Sequence, residues 1–278
     1  MASVFHGRWV LVTGASRGIG RQLVQDFDRE GASCILVARD AQGLEETRGL
    51  TDHPERHLCH RCDVGRPEDV RAMADRVRSG VGTPDILVNN AGMSRYCSFL
   101  ETPLEDFEIL MRTNFWGMVY CTREFLPGML ERGSGHIVNL SSIAGRIGTF
   151  RHTAYSASKF AVTGFSESLY YELLGTGVRI TLVNPGVFAT HLFDHESFSD
   201  FPEAQRRMMK PPAVASRAIL KAVQRGTFEV TVPRSLWAGV WVKTLWPALF
   251  LRLHARFLRR AGALSPASGP KSPYKTMR

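Results

Sequence analysis

Along the chain, short continuous apolar runs alternate with stretches whose apolar residues recur every three to four positions. The runs at residues 9–13, 34–38, 57–63, 86–89, 136–140, 179–184 and 229–232 predict strands, and the stretches at 19–30, 67–79, 104–117, 155–174 and 212–225 predict helices. Ile86, Leu87 and Val88, like Ile137 and Val138, are apolar at consecutive positions, as suits strands covered on both faces. The pattern therefore predicts an α/β chain built as a doubly wound parallel sheet with helices on each side. Neither a repeat nor a linker interrupts residues 1–233, which read as one domain. Beyond them the pattern changes. Residues 236–253 are rich in Leu, Val and Trp but carry Lys243, Pro247 and Arg252. A helix over 246–260 would place Trp246, Leu249, Phe250, Leu253 and Phe257 on one face, with Arg252, Arg256 and Arg259 on another. Residues 234–261 thus form a basic amphipathic extension, and 262–278, rich in Pro, Ser, Gly and Ala, are expected to be a disordered tail.

Composition narrows the classes. With 278 residues, 44% hydrophobic and 22% charged, the chain can bury a sizeable core, which excludes a wholly disordered or fibrous protein. Its five cysteines point away from a disulfide scaffold and towards a reducing compartment. Cys59 and Cys62 fall on opposite faces of a strand and no second pair completes a zinc site, so no metal is expected. The first eight residues lack the plan of a signal peptide, and the apolar run at 9–13 is too short to span a bilayer. The net charge of +9 resides after Pro233, where nine Lys and Arg occur with no Asp or Glu. A neutral body with a cationic end gives no reason to invoke nucleic acid. The cytoplasm is the expected location, with contact at a membrane surface as a further expectation for the extension.

Thr13-Gly14-Ala15-Ser16-Arg17-Gly18-Ile19-Gly20 joins the first strand to the first helix. Glycines there allow a tight turn, close approach to a pyrophosphate and helix–strand packing, while the helix N-terminus offers free N–H groups. A plain strand-to-helix turn can look the same, but the place after the first strand favours a dinucleotide site. At the end of the second strand, Arg39 holds the position where an acidic residue would bind a ribose 2′-hydroxyl. With Arg17 it favours a 2′-phosphate and hence NADP(H) over NAD(H). Alternatively Arg39 is a solvated strand end and Asp40 a helix cap.

Ser141 and Ser142 close the fifth strand, at the end where open α/β sheets bind ligands. Tyr155 and Lys159 stand one helical turn apart. An ammonium beside a phenol stabilises its anion and brings proton exchange nearer neutrality. Ser142 is placed to hold a carbonyl oxygen against the Tyr155 hydroxyl. Alone, a Tyr-x-x-x-Lys pair is more often plain helix surface.

Together Thr13 to Gly20, Asp63-Val64, Asn89-Asn90-Ala91-Gly92, Asn114, Ser141-Ser142, Tyr155 to Lys159, and Pro185-Gly186 with Thr190 resemble the short-chain dehydrogenase/reductase family over essentially all of residues 1–233. The resemblance implies a Rossmann fold and hydride exchange between a nicotinamide and a carbonyl or alcohol. It implies that Gly14, Ser16, Arg17, Gly18, Ile19 and Gly20 hold the phosphates, Asp63 and Val64 the adenine, and Asn90 and Gly92 the ribose. Pro185, Gly186, Phe188 and Thr190 would approach the nicotinamide. Asn114 resembles the family's water-relay residue, Ser142 its carbonyl-polarising serine, Tyr155 its acid/base, and Lys159 the residue that binds the nicotinamide ribose and lowers the tyrosine pKa. Family members are often dimers or tetramers, so a homo-oligomer is expected.

Residues 93–99, 143–152 and 188–209 should surround the substrate and include Met93, Tyr96, Phe150, Phe193 and Phe201. That lining suits a bulky apolar carbonyl or alcohol, lipid-like, long-chain or steroid-like. A 3-oxoacyl reductase of fatty-acid metabolism and a non-catalytic NADP(H)-binding regulator are the alternatives. The extension admits three readings: contact with an anionic membrane surface, packing over the substrate mouth, or packing against a second subunit. Membrane contact is the expectation favoured.

Overall fold

The computed structural model describes residues 3–260; the predicted tail at 262–278 lies outside the described residues. In chain order the elements are β1 (Trp9–Thr13), α1 (Gly18–Arg29), β2 (Ser33–Ala38), α2 (Ala41–Gly49), β3 (Leu58–Arg61), α3 (Pro67–Val81), β4 (Ile86–Asn89), α4 (Leu104–Met111), α5 (Gly117–Glu131), β5 (Gly135–Leu140), α6 (Thr153–Glu172), β6 (Val178–Pro185), α7 (Glu203–Arg207), α8 (Pro212–Arg225), β7 (Glu229–Val232), α9 (Trp237–Leu245) and α10 (Pro247–Arg260). The strands form one parallel sheet in the order β3-β2-β1-β4-β5-β6-β7. Successive side chains of a strand point to opposite faces. Val10 and Val12 therefore join Leu23, Phe27 and Ile219 on one side, while Leu11 joins Val70, Phe125 and Leu169 on the other. Both faces are covered, which is why these strands read as unbroken apolar runs.

Several predicted bounds shift for local reasons. The strand expected at 57–63 shortens to β3 because His57 leaves the ladder: its Nδ1 accepts a hydrogen bond from Cys34 N at 3.0 Å and its Nε2 lies 3.2 Å from buried Asp28. Cys59 packs on one side of the sheet and Cys62 on the other, and both thiols are free. Among the described residues, no group of three or more His, Cys, Asp or Glu could hold a metal ion. The helix expected at 104–117 breaks into α4, a wide π turn at Arg112–Trp116, and α5. Gly117 does not stop it; a Cβ there would meet Val64 at 2.8 Å, so this glycine serves close packing. Helix α2 escaped the periodicity because Gly43 and Gly49 weaken it, yet Asp40 caps its start by accepting from Gly43 N at 3.0 Å.

The extension folds as two helices joined at Trp246. The Lys243 ammonium donates to the Arg146 carbonyl and lies 4.9 Å over the Phe160 ring, and Val240 is buried. Lys243 thus fastens α9 to the loop that follows β5.

Candidate active site

The sheet reverses its order between β1 and β4, where one chain direction leads to β2 and the other to β5. Loops leaving neighbouring strands there splay apart and open a crevice beyond the carboxyl ends. This crevice has a volume of about 1150 Å³. Every site residue expected from the sequence lines it except Gly20 and Asn114. Those two stand behind its wall.

At one end lies the glycine turn. Gly14 has φ +67°, and a Cβ on it would come within 2.9 Å of the Ala91 Cα; a Cβ on Gly20 would collide with the Gly14 carbonyl oxygen. The turn is braced from both sides. Asn90 Nδ2 donates to Thr13 O at 2.8 Å and to Gly14 O at 3.3 Å, while Thr13 Oγ1 accepts from Asn90 N and Ala91 N, each at 3.0 Å. The Asn90 side chain therefore fixes the turn, and the residue also lines the crevice. Arg21 was not legible as a brace, yet its guanidinium donates to Ser16 O at 2.6 Å and to Thr47 Oγ1 at 3.0 Å. Asp63 Oδ1 accepts from Gly65 N at 3.0 Å, and Val64 is buried beside it. Arg17 and Arg39 line the same end, are exposed, and have no acidic partner among the described residues. Asp40, the nearest carboxylate in sequence, is committed to its cap.

The middle of the crevice holds the reactive groups. Ser141 Oγ donates to Lys159 O at 2.9 Å and lies 3.0 Å from Thr163 Oγ1, so it points into α6. Ser142 turns towards the crevice instead, its Oγ accepting from Ala144 N at 3.1 Å and donating to Pro185 O at 3.3 Å. Burial pushes the Tyr155 phenol up to about 12, with the Ser142 hydroxyl pulling the other way. Burial also lowers Lys159 to about 8; its Nζ donates to Leu140 O at 2.8 Å and lies 5.8 Å from the Tyr155 ring centre. The phenol thus lies above its ordinary value rather than below it as expected, because desolvation outweighs a cation held on a backbone carbonyl.

Asn114 sits in the π turn with its side chain fully engaged. Oδ1 accepts from Met93 N at 2.8 Å, and Nδ2 donates to Met93 O at 3.0 Å and to Ser158 Oγ at 2.9 Å. It ties α6 to the loop after β4. A Cβ on Gly92 would stand 3.3 Å from Asn114 Oδ1 and 3.5 Å from Lys159 Nζ, so this glycine leaves a polar niche open. Thr190 caps the turn His191–Phe193 and approaches Gly18, where a Cβ would meet it at 3.2 Å. Phe188 is buried against Ala215 and Val232, and Gly186 N donates to Val232 O at 2.8 Å.

The far end is aromatic. Tyr96, Phe193, Phe198 and Phe201 pack together, and His152 enters this group with its ring 5.1 Å from Tyr96 and 5.8 Å from Tyr155. Burial lowers His152 to about 4, so it is neutral at ordinary pH. Its Nδ1 lies 3.1 Å from Phe150 O, an acceptor only, which places the proton on Nδ1. The one sequence signal for His152 was its place three residues before Tyr155. From the extension, His254, Phe257 and Leu258 of α10 complete the mouth, so packing over that mouth is part of what the extension does.

Replacing Ser142 by Ala is expected to lower turnover roughly 10–100-fold, one hydrogen bond to a charged or developing charge being worth about 1.5–3 kcal/mol. Ser141→Ala should instead lower the thermal midpoint with turnover per folded molecule unchanged. Steady-state kinetics and thermal melts on both variants check the division of labour.

A niche without Cβ atoms at Gly14, Gly20 and Gly92, two uncommitted guanidinium groups at one end, and a buried phenol and ammonium midway fit a nicotinamide dinucleotide. Comparison with known proteins agrees. Residues 8–199 match the family model for short chain dehydrogenases. Epidermal retinol dehydrogenase 2 of Mus musculus is 34% identical over 246 residues, the alignment covering 87% of this chain and 79% of that protein. Among solved structures, a short chain dehydrogenase/reductase from Burkholderia phymatum in complex with NAD superposes with a TM-score of 0.77 at 25% identity, covering 86% of this chain and 94% of that one. A short chain dehydrogenase from Burkholderia cenocepacia in complex with NADP gives 0.76 at 27% identity, covering 91% and 98%. A parallel sheet of this order, a crevice at its switch point and a family match over most of its length lead to one conclusion: the chain belongs to the short-chain dehydrogenase family.

Proposed function

We propose that this member of the family is an NADP(H)-dependent oxidoreductase that interconverts a carbonyl and an alcohol on a bulky apolar substrate. The observation that carries the reading is a single crevice with Arg17 and Arg39 at one end, Tyr155 midway and the Tyr96–Phe201 aromatic group at the other. A similarity to a retinol dehydrogenase, named for an apolar alcohol, points the same way.

When bound, the nicotinamide supplies or accepts the hydride. The chain's own residues manage the oxygen. To hold a carbonyl oxygen, the Ser142 hydroxyl turns its proton from Pro185 O towards the substrate, while Ala144 N keeps Oγ in place. Tyr155, a phenol already protonated at neutral pH and held more firmly so by burial, gives its proton to that oxygen as the carbonyl becomes an alcohol. In the opposite direction the phenolate takes the alcohol's proton. Lys159, still a cation below about pH 8, stands close enough to stabilise the phenolate left behind. Asn114 and Ser158 hold α6 at the height that brings Tyr155 and Ser142 into one place. The aromatic end, with His152 neutral in it, excludes water and accepts apolar substrate surface.

The cofactor preference is tested by Arg17→Ser/Arg39→Asp. Two charge-assisted contacts to a 2′-phosphate are lost and an acceptor for a 2′-hydroxyl is gained. The ratio of kcat/KM for NADPH over NADH is expected to fall by about 100-fold or more, with each lost contact worth about 1.5–3 kcal/mol. An unchanged ratio would count against NADP(H).

A further inference from the structure

Helix α10 has no buried residue although half of it is apolar. Phe250, His254 and Leu258, four residues apart, turn inwards and are half-buried. Next to them Leu249, Leu253 and Phe257 repeat the same spacing on a flank that stays open, at 48%, 47% and 54% exposure. Trp241, Leu245 and Trp246 extend this open surface onto α9 and the corner beyond it, each more than half exposed. Arg256 and Arg260, seven residues after Leu249 and Leu253, are exposed along the edge of this flank, Arg252 and Arg259 are exposed further round α10, and residues 234–278 contain no Asp or Glu. A contiguous exposed apolar surface of this kind is unusual on a free protein and marks a site of association. What distinguishes its partner is charge. An apolar flank bordered by arginines alone matches the interface of an anionic bilayer, with apolar side chains at acyl depth and guanidinium groups among the phosphates.

We infer that the open flank of α9 and α10 docks on an anionic lipid surface, and that apolar substrate enters the crevice from that side. The helices would lie on the surface: among the described residues no helix is long and apolar enough to cross a membrane. Phe257 belongs both to the open flank and to the crevice lining, so the flank meets the mouth at this residue. The Lys243 contact to the Arg146 carbonyl holds the strap to the loop that follows Ser142, leaving its outer side available. Docking does not depend on the reading of the chain as an oxidoreductase; the route of substrate entry rests on it.

The test uses the full chain with two variants, Leu249→Ser/Leu253→Ser and Arg256→Glu/Arg259→Glu, none of whose residues lines the crevice. Flotation is measured with phosphatidylcholine vesicles and with vesicles containing phosphatidylglycerol as well. The wild type is expected to bind the anionic vesicles about tenfold or more tightly than the neutral ones, since each basic residue near the surface adds to the attraction. Both variants should lose at least that factor and keep the wild-type thermal midpoint. With a water-soluble ketone the variants should turn over like wild type; with a vesicle-dissolved ketone their kcat/KM should fall by a similar factor. Equal binding to the two vesicle types overturns the proposal, as does undiminished binding by either variant. So does absence of binding, whether or not sedimentation shows a dimer that Leu249→Ser/Leu253→Ser dissociates; such a dimer would assign the flank to a second copy of the chain. Should neither ketone be turned over, the oxidoreductase reading fails while the flotation result still decides docking.

Discussion

Tyr155→Phe is expected to reduce turnover by roughly 10²–10⁴-fold, the usual worth of a positioned proton donor, and to leave NADPH affinity within about twofold. The variant keeps the ring, its burial and its 5.8 Å packing against His152, and removes one hydroxyl. The groups beside it are engaged elsewhere. His152 is neutral with its proton on Nδ1 against Phe150 O, Ser142 is tied to Ala144 N and Pro185 O, and the ammonium of Lys159 is on Leu140 O. The direction of the pH effect follows from the same burial. With the phenol pushed up to about 12, the acid needed for carbonyl reduction is present throughout the neutral range, whereas the phenolate needed for alcohol oxidation grows as pH rises. Oxidation should therefore increase with pH and reduction should not. Stopped-time assays in both directions, beside a fluorescence titration of NADPH, check each part; a variant that turns over like wild type would remove Tyr155 from the mechanism.

The second large effect is expected of Gly20→Ala. Its Cβ would overlap the Gly14 carbonyl oxygen and lie 2.6 Å from Asn90 Nδ2, so the obstacle is backbone and a side chain that itself braces the turn. Neither can yield without moving Gly14, whose φ of +67° already requires glycine. The turn must open, and the free N–H groups at the start of α1 no longer converge on one phosphate position. NADPH affinity should drop by about tenfold or more, equivalent to at least about 1.4 kcal/mol, accompanied by a lower thermal midpoint. Calorimetric titration and melting of the same sample separate the two losses. Gly49→Ala is the control, since a Cβ there meets nothing within 4 Å.

Much of this architecture is written in local pattern. Consecutive apolar residues at Ile86 to Val88 mark a strand covered on both faces, and the four-residue step from Tyr155 to Lys159 puts both on one side of α6. Local pattern fails where the deciding contact is distant in sequence. The break of the predicted helix at Arg112–Trp116 is matched by Asn114 bonding to Met93 and Ser158, 21 and 44 residues away. Whether Lys159 meets the phenol or a backbone carbonyl depends on where Leu140 O lies, which spacing within α6 does not tell. His152 gained its place near Tyr155 only through the aromatic group drawn from residues 96 to 201. The extension shows both limits. Its amphipathic face was legible, but not that Pro247 starts one helix after another ends at Leu245, nor that Lys243 anchors α9 rather than interrupting an apolar face.

The most direct test of the account is transfer of isotope. Wild-type protein is incubated with NADPH carrying deuterium at the transferable C4 position and with a series of bulky apolar ketones, and the products are examined by mass spectrometry. The account predicts an alcohol with one deuterium on the carbinol carbon, formed by the wild type and reduced to background by Tyr155→Phe. Tight binding of NADPH with no labelled alcohol from any ketone would contradict it, and would leave a cofactor-binding protein without turnover.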